Sequence, residues 1–146
     1  MRMNDRQNVD GITQIYKALS EEMRLRILML LAQGELCVCD IMAVLDEPQS
    51  KVSRHLAYLK NSGLIQGKRV GTWMHYFVKE PLDDLASAQI EFVKKEMSNL
   101  GWAKADVEKM REVQAQKLCD NSTGNKPAPK ARGAAHKKEA TRKRKK

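Results

Sequence analysis

The apolar residues in the first half of the chain recur at the spacing of helices. The segment ITQIYKAL predicts a first helix over 12–19. Ser20 is a suitable N-cap for a second helix, which extends through MRLRILMLLAQ to about Gln33, before the helix-ending Gly34. A third apolar stripe predicts a short helix over 38–45 that stops short of the next proline. Three helices in succession indicate a mostly helical fold.

A fourth helix is predicted in the segment QSKVSRHLAYLKNSG. Val52, Leu56 and Leu59 form its apolar stripe, while its polar and basic side chains fall largely on the opposite face. Two short helices joined by a tight turn, of which the second is basic on its outer face, form a helix-turn-helix. The fourth helix is therefore the one expected to enter a major groove of DNA.

Two β-prone runs follow the fourth helix. LIQGKRV and MHYFV are separated by Gly71, Thr72 and Trp73, which predicts a hairpin with a glycine-containing turn. Lys68 and Arg69 lie near its tip. A basic hairpin after a helix-turn-helix is a wing, so the predicted fold class is mostly α with a small β-hairpin, a winged helix-turn-helix.

Beyond the hairpin the pattern changes twice. An apolar stripe over 82–100 predicts a five-turn helix that begins after Pro81 and ends at Gly101, and helical spacing is weaker over 102–118. Residues 120–146 lack Val, Leu, Ile and aromatic side chains, so they cannot bury a core and are predicted to be disordered. The predicted parts are a winged-helix and dimerisation domain at 1–101, a C-terminal helix at 102–119 and a basic tail at 120–146.

The formal net charge of +9 is concentrated in two places. Residues 120–146 contain ten Lys and Arg against two acidic residues, whereas residues 1–119 are close to neutral. Within that neutral part, residues 49–79 contain six Lys and Arg and no Asp or Glu. A positive patch on an otherwise neutral domain is typical of nucleic-acid binding.

The composition favours a cytoplasmic protein without enzyme activity. No apolar run approaches the roughly 18 residues that a membrane span requires, and the polar start MRMNDRQNVD does not resemble a signal peptide. Three cysteines in such a chain argue against a disulfide framework. The sequence contains no glycine-rich phosphate loop and no Ser or Cys nucleophile with a base in the same motif, so we expect no enzyme.

The segments ELCVCD, SKVSRHLAYLKNSGLI and GKRVGTWMHYFV, in this order and spacing, resemble the ArsR/SmtB family of bacterial metal-responsive repressors. The resemblance extends from about Ile12 to Leu100 and favours the arsenic- and antimony-responsive members. It implies a homodimer in the bacterial cytoplasm, associated with the nucleoid, that binds double-stranded operator DNA. The implied inducer, arsenite or antimonite, releases the DNA. A two-fold dimer is expected to bind an operator with an inverted repeat.

The helix-turn-helix and the wing supply the candidate DNA contacts. Arg54 and its polar neighbours carry donors for base edges, whereas the lysines and Arg69 suit phosphates. The candidate DNA-binding residues are Gln49, Ser50, Lys51, Ser53, Arg54, His55, Lys60, Lys68 and Arg69.

The apolar stripes of the first helix and of the helix at 82–100 supply the candidate dimer interface. A lone winged domain is expected to leave the stripe of the later helix exposed, and pairing of two chains would cover it. The candidate interface residues are Ile12, Ile15, Leu82, Leu85, Ile90, Val93 and Met97.

Cys37 and Cys39 stand at the start of the third helix, where the helix N-terminus favours the thiolate, and thiolates select soft ions. On a regular helix, residues i and i+2 point about 200° apart. The pair can therefore hold one ion only if the first turn unwinds or if Cys37 precedes the helix, and we expect binding to deform the segment beside the recognition helix. Many arsenic-responsive relatives have a further cysteine where this chain has Met42, which we expect to be a core residue. Cys119 is a candidate third ligand.

Three alternatives remain open from the sequence. The cysteine pair could undergo thiol-based redox chemistry in a repressor of the same fold. The inducer could be cadmium or lead, although relatives that sense these ions add cysteines in an N-terminal arm, and residues 1–36 contain none. The chain could also coat DNA nonspecifically through its basic tail.

Overall fold

Helices and one small sheet make up residues 3–116, which is the part of the chain that the computed structural model describes. The helices are α1 (Met3–Leu19), α2 (Glu22–Leu31), α3 (Val38–Leu45), α4 (Gln49–Asn61), α5 (Asp84–Met97) and α6 (Gly101–Ala115). The strands are β1 (Leu36–Cys37), β2 (Ile65–Val70) and β3 (Trp73–Val78), in one antiparallel sheet of order β1-β3-β2. Cys119 and the predicted tail at 120–146 lie outside the described residues.

The structure confirms a mostly helical fold with a β-hairpin and adds a strand that the pattern did not predict. This strand, β1, contains only Leu36 and Cys37, which is too short to show an alternating pattern. Its two residues pair with Tyr76 and His75 of β3. The additional strand therefore connects the cysteine segment directly to the hairpin.

A two-residue turn joins β2 to β3. Val70 pairs with Trp73, so the turn consists of Gly71 and Thr72, and Trp73 belongs to the strand rather than to the predicted three-residue turn. Gly71 has a φ of 65°, a conformation that glycine adopts without steric cost and that tight hairpin turns require.

The N-terminus of α2 lies one residue later than predicted. Glu21, not Ser20, is the N-cap, because its Oε2 accepts a hydrogen bond from the backbone N–H of Arg24 at 3.0 Å. The hydroxyl of Ser20 instead donates to the backbone oxygen of Lys17 at 2.8 Å, at the end of α1. Ser20 therefore closes one helix and Glu21 opens the next.

A side-chain cap also shortens α5 relative to the predicted helix at 82–100. Asp83 is its N-cap and accepts a hydrogen bond from the backbone N–H of Ala86 at 2.8 Å. At the other end, Gly101 is the first residue of α6 instead of the residue that ends α5. The predicted stripe therefore extends beyond α5 at both ends, because Leu82 precedes the N-cap of α5 and Leu100 is the N-cap of α6.

The core is built around α2. Its five consecutive residues Ile27–Leu31 are each at most 2% exposed. A helical segment that is apolar on every side must be covered on every side, and α1, α4, α6 and β3 all pack against α2. None of the helices within residues 3–116 combines the length and the apolar character of a membrane-spanning segment.

An ion pair joins α6 to α2. Nε and Nη2 of Arg26 each donate to one carboxylate oxygen of Asp106 at 2.8 Å. Asp106 is 6% exposed, and this hydrogen bonding raises the pKa of the Arg26 guanidinium above its ordinary value. A bidentate pair of this kind fixes direction as well as distance, so it sets the position of α6 along α2.

We expect Asp106→Asn to lower the free energy of unfolding by about 2 kcal/mol, because Arg26 loses its charged acceptor. Water replaces part of the lost interaction, since the Arg26 side chain is 26% exposed. Urea unfolding at a fixed protein concentration measures the change. The matched control is Glu108→Gln on the same helix, where Glu108 and Arg111 are 3.8 Å apart and both 69% exposed. The control should change stability by less than about 0.5 kcal/mol, and equal effects of the two substitutions would contradict the prediction.

Candidate functional site

The outer face of α4 carries most of the predicted DNA contacts. Val52, Leu56 and Leu59 are completely buried, which turns the opposite side of the helix toward solvent. Among the predicted residues of α4, the exposed ones are Gln49, Ser50, Lys51, Arg54 and Lys60, and Ser53 is half-buried.

Carboxylates hold two of the lysines predicted to bind phosphates. Nζ of Lys51 lies 3.0 Å from Oε1 of Glu47, and Nζ of Lys68 lies 3.0 Å from Oε1 of Glu35. The two lysine side chains are 46% and 53% exposed. Because an ammonium group has three N–H donors, each lysine keeps donors for a phosphate. Arg69, beside Lys68 on β2, is exposed.

His55 does not lie on the open face of α4 that its prediction as a DNA contact assumed. Its side chain is only 15% exposed. Its Nδ1 lies 3.5 Å from Nη1 of Arg24 and 3.6 Å from Oε2 of Glu21. The ring therefore packs toward the start of α2.

Arg24, which the sequence analysis missed, connects three helices. Its Nε donates to the backbone oxygen of Ala18 at 2.8 Å, and its Nη2 donates to that of Lys17 at 3.1 Å. Its guanidinium lies 4.0 Å from the ring centre of Tyr58 on α4. Arg24 thereby joins the end of α1 to α2 and α4. The signal in the sequence is that Arg24 and Arg26 are charged side chains in the first half of a helix whose second half is entirely apolar.

Glu35 joins the wing to the segment that carries the cysteines. Its Oε2 lies 2.9 Å from Nδ1 of His75, and its Oε1 lies 3.0 Å from Nζ of Lys68. The hydrogen bond from Lys68 lowers the pKa of the Glu35 carboxyl below its ordinary value, with a further contribution from His75, whereas partial burial opposes the shift. No local pattern indicated this residue, because both of its partners lie on the later hairpin.

The sulfur atoms of Cys37 and Cys39 lie 3.4 Å apart. Cys37 is the last residue of β1 and the N-cap of α3, with extended backbone angles (φ −73°, ψ 147°), and its Sγ accepts a hydrogen bond from the backbone N–H of Cys39 at 3.5 Å. The conflict predicted for two helical cysteines therefore does not arise, because Cys37 precedes the helix. No unwinding is needed to bring the two sulfurs together.

The surroundings of the pair limit what can be bound there. Cys37 is buried and Cys39 is half-buried. The two sulfurs are in contact but are not joined by a disulfide, because they lie 3.4 Å apart. Within residues 3–116, no group of three or more His, Cys, Asp and Glu is positioned to hold a metal ion. Met42 packs against the core, as predicted. Cys119, the candidate third ligand, lies outside the described residues.

The predicted dimer residues are largely used inside the chain itself. Ile15, Ile90 and Val93 are at most 5% exposed, and Val93 packs with Met29 of α2 and Ala103 of α6. The expectation that a single chain leaves the whole stripe exposed is therefore not met. Half-buried members of the predicted set are Ile12, Leu82, Leu85 and Met97. Exposed apolar side chains on and between the described parts of α1, α5 and α6 are Val9, Tyr16, Phe92, Leu100 and Trp102.

The segment from α2 to the start of β2 is similar to known regulators. Residues 21–66 match the family model described as "Bacterial regulatory protein, arsR family". The chain is 52% identical over 64 residues to the arsenical resistance operon repressor of Escherichia coli, a match that covers 43% of this chain and 55% of that repressor. It is 32% identical over 100 residues to the arsenic resistance transcriptional regulator ArsR1 of Pseudomonas putida, which covers 68% of this chain and 77% of the regulator. The chain thus spans about half the length of the first relative.

A solved structure supports the fold. The homodimeric winged helix-turn-helix DNA-binding domain of a possible ArsR-family regulator from Mycobacterium bovis superposes with a TM-score of 0.55. The two chains are 31% identical, and the match covers 66% of this chain and 90% of that domain. The winged helix-turn-helix predicted from the sequence is confirmed. The relatives named above are transcriptional regulators rather than enzymes.

An NMR titration of Glu35 tests the contact between the wing and the cysteine segment. We expect a carboxyl pKa below the ordinary value of about 4.3, and Lys68→Met should raise it because the largest cause of the shift is removed. A carboxyl whose pKa is lowered by folding stabilises the protein above its ordinary pKa, and this stabilisation is lost as the pH falls through the pKa of the folded state. Lys51→Met, which removes a lysine paired with Glu47, should leave the Glu35 pKa unchanged. An unchanged pKa in Lys68→Met would show that Lys68 is not the cause.

Proposed function

Because this chain belongs to the ArsR family of bacterial regulatory proteins, we propose that it is a transcriptional repressor that leaves its operator when a soft ion binds to Cys37 and Cys39. The observation that carries the proposal is the contact between the two sulfurs, 3.4 Å apart at the start of α3. Helix α3 packs against α4, the helix with the exposed basic face. The proposed sensor and the proposed DNA-binding surface are therefore neighbouring elements.

In the proposed complex, α4 enters a major groove and the wing follows the phosphate backbone. Arg54 is exposed on the outer face of α4, and an arginine there can donate two hydrogen bonds to a guanine. Lys60, Lys68 and Arg69 contact phosphates, which position the protein without selecting a sequence. Arg24 and the buried side of α4 hold the helix at a fixed angle to the domain.

Two chains form the DNA-binding unit in this proposal. The Mycobacterium bovis domain is homodimeric, and the exposed apolar side chains of α1 and α5, including Tyr16 and Phe92, supply surface for a two-fold contact. A two-fold dimer places its two recognition helices about 34 Å apart along the DNA, which matches an inverted repeat in successive major grooves.

Arsenite or antimonite is the proposed inducer. Thiolates select soft ions, and the relatives from Escherichia coli and Pseudomonas putida are named for resistance to arsenic compounds. Trivalent arsenic binds three sulfurs. The reduced pair supplies two, and the third comes from Cys119, comes from a small cellular thiol, or is absent.

Ion binding and DNA binding oppose each other if they favour different positions of α3. The sulfur of Cys37 caps α3, so an ion that draws this sulfur toward itself also displaces the start of the helix. If the conformation with higher ion affinity has lower DNA affinity, ion binding raises its population and DNA dissociates. A 100-fold loss of operator affinity corresponds to about 2.7 kcal/mol of coupling.

A thiol-redox repressor of the same fold is the second candidate. The contact between the two sulfurs, 3.4 Å apart, favours it, because oxidation and reduction of this pair would alter the same segment at the start of α3. The two candidates differ in the agent that releases DNA. An ion sensor responds to arsenite under reducing conditions, whereas a redox sensor responds to an oxidant in the absence of metal.

Release of operator DNA by arsenite is the central test. We expect Cys37→Ser and Cys39→Ser each to keep metal-free affinity within a few-fold and to abolish release, because one remaining thiolate cannot hold the ion. Fluorescence anisotropy with the DNA upstream of the gene measures affinity. The buffer contains a phosphine reductant, which adds no competing thiol, and arsenite, antimonite, cadmium and zinc are added in turn.

Two further variants decide the ligand set. In this thiol-free buffer, Cys119→Ser responds like the wild type if the cysteine pair alone binds the ion, and it loses the response if Cys119 supplies the third sulfur. If the third sulfur comes from a small thiol, both proteins respond only after that thiol is added. The proposal is overturned if the Cys37→Ser/Cys39→Ser double variant still releases DNA on addition of arsenite.

Substitution of Arg54 should change DNA selectivity, whereas substitution of His55 should not. Arg54→Ala should cost about 1–3 kcal/mol of operator affinity and relax the preference at one base pair. His55→Gln should leave base preference unchanged and lower the thermal stability, because the ring packs against Arg24 and Glu21. Binding to a set of single-base operator variants, together with thermal unfolding, measures both effects. A change of base preference in His55→Gln alone would contradict the assignment.

A further inference from the structure

One row of side chains crosses the sheet from the cysteine pair to the wing. Cys37 of β1 pairs with His75 of β3, and His75 pairs with Lys68 of β2. Directly opposed residues of antiparallel strands lie on the same face, with Cβ atoms about 4.5–5.5 Å apart. The row begins at a sulfur that is almost completely buried and ends at a lysine that is 53% exposed.

The carboxylate of Glu35 binds the two later members of this row. One of its oxygens contacts the His75 ring and the other contacts the Lys68 ammonium, at 2.9 and 3.0 Å. Glu35 stands two residues before Cys37, so its backbone moves with β1, whereas both of its partners belong to the hairpin. A displacement of β1 relative to β3 therefore acts on Lys68 through a single side chain.

The ring of His75 has no second hydrogen bond that would hold it in place. Its Nε2 is buried and has no hydrogen-bond partner within the described residues. Buried polar atoms in native proteins usually have partners, so the orientation of this ring depends on its Nδ1 contact with Glu35. If Glu35 moves, nothing else that the structure describes hydrogen-bonds the ring.

We propose that Glu35 is a positioning residue that transmits ion binding at Cys37 to the DNA contact of the wing. The inference rests on the proposed function and adds the route by which the wing responds. In the DNA-bound form, Lys68 gives one N–H to Glu35 and presents the others to a phosphate. An ion at the cysteine pair draws Cys37 away from its place beside His75, Glu35 follows, and Lys68 loses the orientation in which it meets the phosphate.

The structure also contains a direct route from the cysteines to α4 through α3, and the experiment must separate the two routes. Glu35→Gln removes the carboxylate charge and keeps the size of the side chain. The matched control is Glu47→Gln, because Glu47 holds Lys51 at the same distance of 3.0 Å and both lysines are proposed to bind phosphates. Glu47 lies in the turn between α3 and α4.

Two quantities are measured on the reduced full-length protein. The first is arsenite binding, from the ultraviolet absorbance of the bonds between thiolate and arsenic. The second is the ratio of operator affinities without and with saturating arsenite. Each substitution also removes a negative charge near DNA, which raises affinity in both conditions, so the ratio isolates the coupling between the two sites.

We expect Glu35→Gln to bind arsenite as the wild type does. Its ratio of operator affinities without and with arsenite should be smaller than the wild-type ratio by a factor of about ten or more. Glu47→Gln should keep the wild-type ratio. Lys68→Gln should reduce the ratio as Glu35→Gln does, and combining the two substitutions should add nothing, because both interrupt one route.

Several results would overturn the inference. A wild-type ratio in Glu35→Gln with normal arsenite binding would mean that release proceeds through α3 alone. Independent, additive losses from Glu35→Gln and Lys68→Gln would mean that Glu35 does not act through Lys68. Failure of the wild-type protein to bind arsenite at all would overturn the proposed function itself, and is recognised by the absence of the absorbance change.

Discussion

Burial of the five residues Ile27–Leu31 of α2 is the constraint on which the rest of this structure depends. Ile27–Leu31 are apolar around the full circumference of the helix, so other elements must cover this segment on every side. Helices α1, α4 and α6 and strand β3 supply that cover. The helix proposed to bind DNA and the helix at 101–115 are thus fastened to the same central element. The ion pair between Arg26 and Asp106 then fixes α6 in a direction that apolar packing alone does not specify.

The same constraint separates residues that orient α4 from residues that are available for DNA. Three aliphatic side chains of α4 are buried in the core, and Tyr58 and His55 of the same helix contact Arg24. Tyr58 and His55 are therefore occupied by contacts within the domain, whereas Ser50 and Arg54 are exposed to solvent. A side chain can be polar, lie on a recognition helix and still serve mainly to hold that helix in place.

Cys37 links two types of secondary structure. Its backbone pairs with His75 in the sheet, while its sulfur caps α3 and touches the sulfur of Cys39. A ligand that moves this sulfur therefore acts on the helix and on the sheet together. The helix leads to α4, and the sheet leads through His75, Glu35 and Lys68 to the wing. Both parts of the proposed DNA-binding surface, α4 and the wing, are in this way connected to the cysteine pair.

The sequence by itself determined the elements whose signals are local. Helical spacing, the glycine turn between the β-prone runs and the basic face of α4 were all readable, because they depend on residues a few positions apart. Only the tertiary structure decided which faces meet. It turned His55 toward Arg24, buried Ile15, Ile90 and Val93 within their own chain, and placed Glu35 against His75, forty residues away. It also formed β1, a strand of two residues that exists because β3 is there to pair with it. The spacing of residues within one segment does not indicate such contacts, because they depend on which surfaces pack around the buried residues of α2.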